Sequence, residues 1–188
     1  PLNLDTLGAD FYGGNLHKWL CAPKGAGFLY ARPDVQHLLK PLVVSWGYEA
    51  VVPGKSQFVD HHEWWGTRDP AAFLSVPDAI EFQQKHDWDR VRAACHALAR
   101  EAEERMVNLT GLPSIYPDDT WFCQFAAAPL SLTTDVQKLK TWLYDRHRIE
   151  VPIIDWHRKK YVRISVQGYN TRRDVVALLD AIEKYPGI

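Results

Sequence analysis

The sequence predicts an α/β chain built from two unlike parts, and three observations carry that expectation. Two short β-type segments, residues 11–16 and 27–31, are bracketed by Gly and Pro and read as late strands of a larger sheet. A long amphipathic helix follows, opened at Asp87 and closed at Gly111. From Pro113 the pattern runs strand, helix, strand, strand, helix, which suffices for a small α+β unit with its own core.

The elements follow in order. After the first two strands, residues 41–69 carry Pro, Gly, His and aromatic residues without a clean period, so an irregular segment is expected there, of the kind that is functional or meets a partner. Asp69-Pro70 is a helix start, with Asp as N-cap and Pro at the first helical position, and Pro77 should break that helix early. The helix from Asp87 places Val91, Ala94, Cys95, Leu98, Ala102 and Met106 on one stripe. Beyond Pro113 we expect a strand over 121–128, a helix over 134–147 with Val136, Leu139 and Leu143 inward, and strands over 150–154 and 161–167. A last helix starts at Thr171, where Thr-Arg-Arg-Asp is a capping box, and buries Val175, Leu178, Leu179 and Ile182.

Charge and composition exclude several classes. Lys plus Arg number 22 against 23 Asp plus Glu, so no long-range field would recruit nucleic acid or an anionic membrane. No apolar run reaches membrane-spanning length and no signal-peptide pattern opens the chain, which makes a cytoplasmic location the expectation. Cys21, Cys95 and Cys123 are too few and too scattered for a disulfide framework or a zinc knuckle, and read as structural thiols in a reducing compartment. The first residue is Pro1 and the chain opens just before an apparent internal strand, so a piece of a longer protein is expected.

Lys18 is the foremost candidate for chemistry. It lies at the end of a β-type segment, flanked by Leu16 and Trp19 and followed by a Gly-rich turn, a setting that presents an amine from a rigid edge into a cleft, where desolvation makes it nucleophilic. His17 and Asn15 can both donate hydrogen bonds to an oxyanion and fall on one side of an alternating strand. Lys24-Gly25-Ala26-Gly27 lacks the Walker and dinucleotide patterns, so its glycines read as a tight turn. Asp60-His61-His62-Glu63 holds metal-ligand residue types, but consecutive residues rarely converge on one ion, and no metal is expected. In Tyr161–Gln167 the even positions are Val, Ile and Val, so Arg163 faces away from the apolar side, free to clamp a carboxylate.

Asn15-Leu16-His17-Lys18-Trp19, with Pro23-Lys24-Gly25-Ala26-Gly27-Phe28-Leu29 after it, closely resembles the cofactor-lysine segment of the class V aminotransferases, pyridoxal 5'-phosphate (PLP) enzymes of fold type I. Trp64-Trp65-Gly66-Thr67-Arg68-Asp69 and the run from Val162 to Thr171 resemble that family's intersubunit loop and carboxylate-arginine segment. The pattern is most similar to the isopenicillin N epimerase-like branch, which includes amino-acid epimerases and carbon–sulfur lyases. The resemblance implies the C-terminal half of fold type I: residues 1–86 as the end of the large PLP-binding domain, 87–112 as a linking helix and 113–188 as the small domain. It implies that Lys18 forms the PLP aldimine and acts as base, that Asn15 and His17 hold the phosphate, and that Arg163 holds an amino-acid carboxylate. Gly66 and Thr67 would reach the phosphate of the neighbouring subunit, making a homodimer with shared sites. Related desulfurases carry a cysteine shortly before the arginine, and residues 148–162 have none, which disfavours that chemistry. A class V aminotransferase, a cysteine desulfurase-like enzyme or a non-catalytic dimerisation module are the alternatives. The acid for the pyridine nitrogen, the ring-stacking side chain and the N-terminal phosphate loop would belong upstream of Pro1, so the chain alone is expected to be inactive.

Overall fold

A computed structural model describes residues 2–188 and divides them into two units, one ending at His86 and one beginning at Asp87. In the first unit a one-turn helix α1 (Leu4–Leu7) precedes β1 (Phe11–Asn15), which pairs antiparallel with β2 (Gly27–Ala31) as a two-stranded sheet. The register sets Gly13 opposite Leu29 and Gly14 opposite Phe28. The Phe28 ring occupies the space that a side chain at Gly14 would need, and it stacks beside Tyr12 with centroids 6.0 Å apart. Phe11, Phe28 and Leu29 all remain exposed. Arg32 closes the base of the hairpin: its N–H donates to Asp10 O at 3.0 Å, and its guanidinium pairs with Asp10 at 2.9 Å and Asp34 at 2.6 Å. That pairing holds the Asp34 carboxyl below the usual carboxylate range.

The stretch expected to be irregular contains a helix, α2 (Gln57–Glu63). Ser56 Oγ caps it by accepting from the Val59 N–H at 3.3 Å, a signal hidden by the His and Asp residues that break the apolar period. The possible metal ligands are engaged separately: Asp60 accepts from the Gly54 N–H at 2.8 Å, His62 Nδ1 lies 2.8 Å from Phe58 O, and the His61 ring packs on Tyr48. α3 (Ala71–Leu74) begins one residue later than predicted, with Asp69 accepting from the Ala71 N–H at 2.8 Å. The break at Pro77 is present, because α4 (Val76–Lys85) starts afresh with that proline in its first turn.

The second unit is a three-stranded antiparallel sheet with helices on one face. α5 (Trp88–Thr110) ends at Gly111, whose φ of 66° is the left-handed C-cap the sequence requires. Its buried stripe is Cys95, Ala99, Ala102 and Met106; Ala94 is exposed and Ala99 takes its place. Small residues meet small residues here, since α5 packs on β3 (Phe125–Leu130), which contributes Ala126 and Ala128. Burial also pushes the Cys95 thiol pKa up, while Cys21 and Cys123 are exposed, so burial does not account for those two as structural thiols.

β3 begins four residues later than expected because Asp118 ties residues 119–121 into a 3-10 turn. It is an edge strand in the order β3-β5-β4, which tolerates the missing donor of Pro129. α6 (Val136–His147) is capped by Asp135, which accepts from the Lys138 N–H at 3.0 Å. β4 (Ile153–Trp156) and β5 (Lys159–Ser165) form a hairpin whose two turn residues, His157 and Arg158, have φ of 47° and 60°. Both strands are shifted from the predicted ranges, since a turn of that type normally announces itself with Asn or Gly. α7 (Arg172–Glu183) starts as predicted, with the Asp174 carboxylate accepting from the Thr171 N–H at 2.8 Å; that bond depresses the Asp174 pKa. Among the described residues no helix is long and apolar enough to cross a membrane.

Leu139 is fully buried among these helices and the sheet. Leu139→Ala should destabilise the second unit by about 2–5 kcal/mol in urea unfolding. On the same helix the exposed Tyr144→Ala should change it by less than about 0.5 kcal/mol.

Candidate active site

The first unit contributes a tightly closed loop around Lys18. Past the last β1 residue, the Leu16 N–H donates to Ala26 O at 3.2 Å, and Leu16 O accepts from the Ala22 N–H at 3.0 Å. Inside that closure the Cys21 N–H donates to Lys18 O at 3.2 Å, making a four-residue turn, and Cys21 adopts a φ of 67°. Ala22 and Ala26 are buried, so the loop folds over its own small residues. Gly25, at φ 108°, supplies the reversal between the strands. The Gly-rich segment thus serves as a turn.

Lys18 projects outward and is exposed, with no ion pair among the described residues. Beside it, His17 Nδ1 is buried and has no hydrogen-bond partner in the described chain. Buried ring nitrogens are normally satisfied, so this one marks a place where a polar group outside the chain is due. Asn15 ends β1, exposed and opposite Gly27. The strand stops there, so the alternation that would put Asn15 and His17 on one side does not extend to His17.

Gly66 and Thr67 lie in the bend between α2 and α3. Gly66 has a φ of 89°, in the left-handed region, and Thr67 is exposed without a hydrogen bond among the described residues. Arg68 buckles the bend: its guanidinium lies 4.6 Å from the Trp65 ring centroid and 4.7 Å from that of Phe73, and it donates to Glu63 O at 2.8 Å.

Arg163 belongs to the second unit. It is exposed on the sheet face opposite the helices, its N–H donates to Pro152 O at 2.9 Å, and no carboxylate pairs with it among the described residues. Its strand end is braced by a buried network in which Gln124 Nε2 donates to Val166 O and to Gln167 Oε1, both at 3.2 Å. Tyr161 and Gln167, read as polar-face positions, are nonetheless buried.

Sequence reasoning missed two residues that brace these loops. Gln83, a buried polar residue on α4, donates through Nε2 to Trp19 O at 2.9 Å, 64 positions away, and so grips the Lys18 turn. Arg68 is the other. The available signals were a Gln on an inward helical stripe and an Arg spaced between aromatics, each too common to single out.

The sequence profile of the family described as Aminotransferase class-V matches residues 1–178. The chain belongs to the class V aminotransferase family. It is 36% identical over 193 residues to isopenicillin N epimerase of Amycolatopsis lactamdurans, covering 97% of this chain and 48% of that protein. It is 34% identical over 202 residues to a probable chloroplastic L-cysteine desulfhydrase of Arabidopsis thaliana, covering 96% and 41%. Among solved structures, the cysteine desulfurase CsdA of Escherichia coli matches with a TM-score of 0.73 at 22% identity, over 98% of this chain and 48% of that one. The chain spans about half the length of the curated relatives it matches. Its fold is that of the C-terminal half of PLP-dependent fold type I. PLP is the cofactor that family membership indicates, and the residues present fit it: an unpaired exposed amine at Lys18 beside an unsatisfied buried donor or acceptor at His17.

The Gln83 contact has a measurable consequence. Gln83→Ala should accelerate hydrogen exchange at the Cys21 amide about two- to tenfold, the equivalent of one net hydrogen bond, with no change at amides of α6 or α7.

Proposed function

We propose that the protein is a PLP-dependent enzyme acting at the α-carbon of an amino acid, of epimerase or carbon–sulfur lyase type. The observation that carries this reading is the closed turn that exposes the Lys18 amine next to the unsatisfied His17 Nδ1. In this reading residues 1–86 are the end of the cofactor-binding domain, 87–112 the link and 113–188 the small domain. PLP, when bound, supplies an electron sink for the charge left when a bond to the α-carbon breaks. The chain's own residues do the rest. Lys18 Nζ is the covalent attachment point and, once free, the base that moves the α-proton. His17 and Asn15 would donate to the phosphate, and Arg163 would hold the substrate carboxylate through a bidentate pair.

Gly66 and Thr67 serve the phosphate of a second subunit in a homodimer. The near-complete exposure of Leu42, Trp46 and Val51 in the stretch leading to them supports a partner surface. Relatives named as epimerases and as cysteine desulfhydrases support the two reaction types equally, and the absence of Cys from residues 148–162 argues against a persulfide mechanism. The remaining parts of the pocket come, in this reading, from the half of the family fold that this chain does not span, and the chain by itself is inactive.

Subunit mixing tests the shared site. Lys18→Ala and Thr67→Ala holoenzymes should each be inactive in a screen of amino acids for pyruvate, sulfide or stereoinversion. Exchanged into heterodimers, they should recover about half the activity of a wild-type dimer, because one site is then wholly mutant and the other intact. Failure to recover after demonstrated exchange would contradict the crossing of Thr67 between subunits.

A further inference from the structure

The open face of the second sheet carries a contact that the carboxylate-binding reading does not use. Arg163 stands directly opposite Ala127 in the β3–β5 register, while Phe125, opposite Ser165, is its diagonal neighbour on the same face. The guanidinium carbon lies 5.9 Å from the Phe125 ring centroid, and Phe125 is 45% exposed. Ala127 is too short to compete for the cation, and no carboxylate within the described chain holds it.

We propose that Phe125 is a positioning residue that orients Arg163 for a ligand carboxylate; this rests on the reading that Arg163 binds the substrate carboxylate. A ring attracts a guanidinium over its face, through the quadrupole, whereas a carboxylate is bound at the guanidinium edge, through paired N–H groups. The two interactions use different parts of the same group and do not compete. An unattended arginine on an open sheet face would spread over many rotamers and lose that freedom on binding. With its guanidinium beside the Phe125 ring, Arg163 has part of that freedom already removed, while its N–H edge stays available to a carboxylate. The Gln124–Gln167 network holds the adjoining strand ends in register, so the diagonal relation of ring and cation is fixed by backbone. Phe125 therefore sharpens recognition of the carboxylate and leaves the α-carbon chemistry to Lys18.

The test is spectral titration of the PLP-loaded holoenzyme with glycine and with glycinamide, which differ only in the carboxylate. Phe125→Leu should raise the glycine dissociation constant about two- to fivefold, as expected for loss of an exposed cation–π contact, and leave glycinamide unchanged. Phe125→Tyr, which keeps the ring, should bind glycine like the wild type. Arg163→Lys should weaken glycine about tenfold or more, because an ammonium cannot span both oxygens. If Arg163→Lys weakens glycine but Phe125→Leu does not, or if Phe125→Leu weakens both compounds equally, the positioning role is overturned. If Arg163→Lys leaves glycine binding unchanged, the carboxylate reading beneath it fails.

Discussion

The double use of Leu16 is the constraint on which the Lys18 site depends. One residue bonds forward to Ala22 and across to Ala26, so the eleven residues from Leu16 to Ala26 are cinched at their neck. A chain tied this way must turn sharply, and it does so at the cost of a left-handed Cys21, a conformation that disfavours non-glycine residues by roughly 1–2 kcal/mol. The unbonded His17 Nδ1 adds a desolvation penalty of about 1–3 kcal/mol. Two unfavourable features on either side of one exposed lysine are hard to explain as packing. Such features concentrate at functional sites, which is the basis of the proposal that a polar group from outside the chain is bound here.

The second unit solves a different problem. Its helices all lie on one face of the β3-β5-β4 sheet, where Ala126, Ala128, Val162 and Ile164 are buried. Strand alternation then leaves Phe125, Arg163 and Ser165 on the other face. A long cationic side chain on such a face is ordinarily solvated and mobile. Here its backbone N–H donates to the Pro152 carbonyl, and its guanidinium carbon lies 5.9 Å from the Phe125 ring centroid.

Features governed by neighbours in sequence were legible in advance. The Gly111 stop, the Thr171–Asp174 capping box, the break at Pro77 and the outward direction of Arg163 all follow from local backbone chemistry, and the structure has each of them. The helix α2 was hidden because its capping serine precedes a polar, aromatic sequence without a stripe. The β4–β5 turn was hidden because His157 and Arg158 occupy positive-φ positions that usually go to Asn and Gly. The grip of Gln83 on the Lys18 turn joins residues 64 apart, and no local pattern encodes such a pairing. The Gly-rich turn after Lys18 was legible in the sequence, whereas the unsatisfied His17 nitrogen needed coordinates to be seen.

The central claim is that the turn presents Lys18, and no other amine, to the cofactor. Borohydride reduction of the PLP-loaded holoenzyme, followed by peptide mapping, tests it most directly. The pyridoxyl group should be found on Lys18 at one per chain. Its recovery on Lys24 or Lys40, with Lys18 unmodified, would contradict the account.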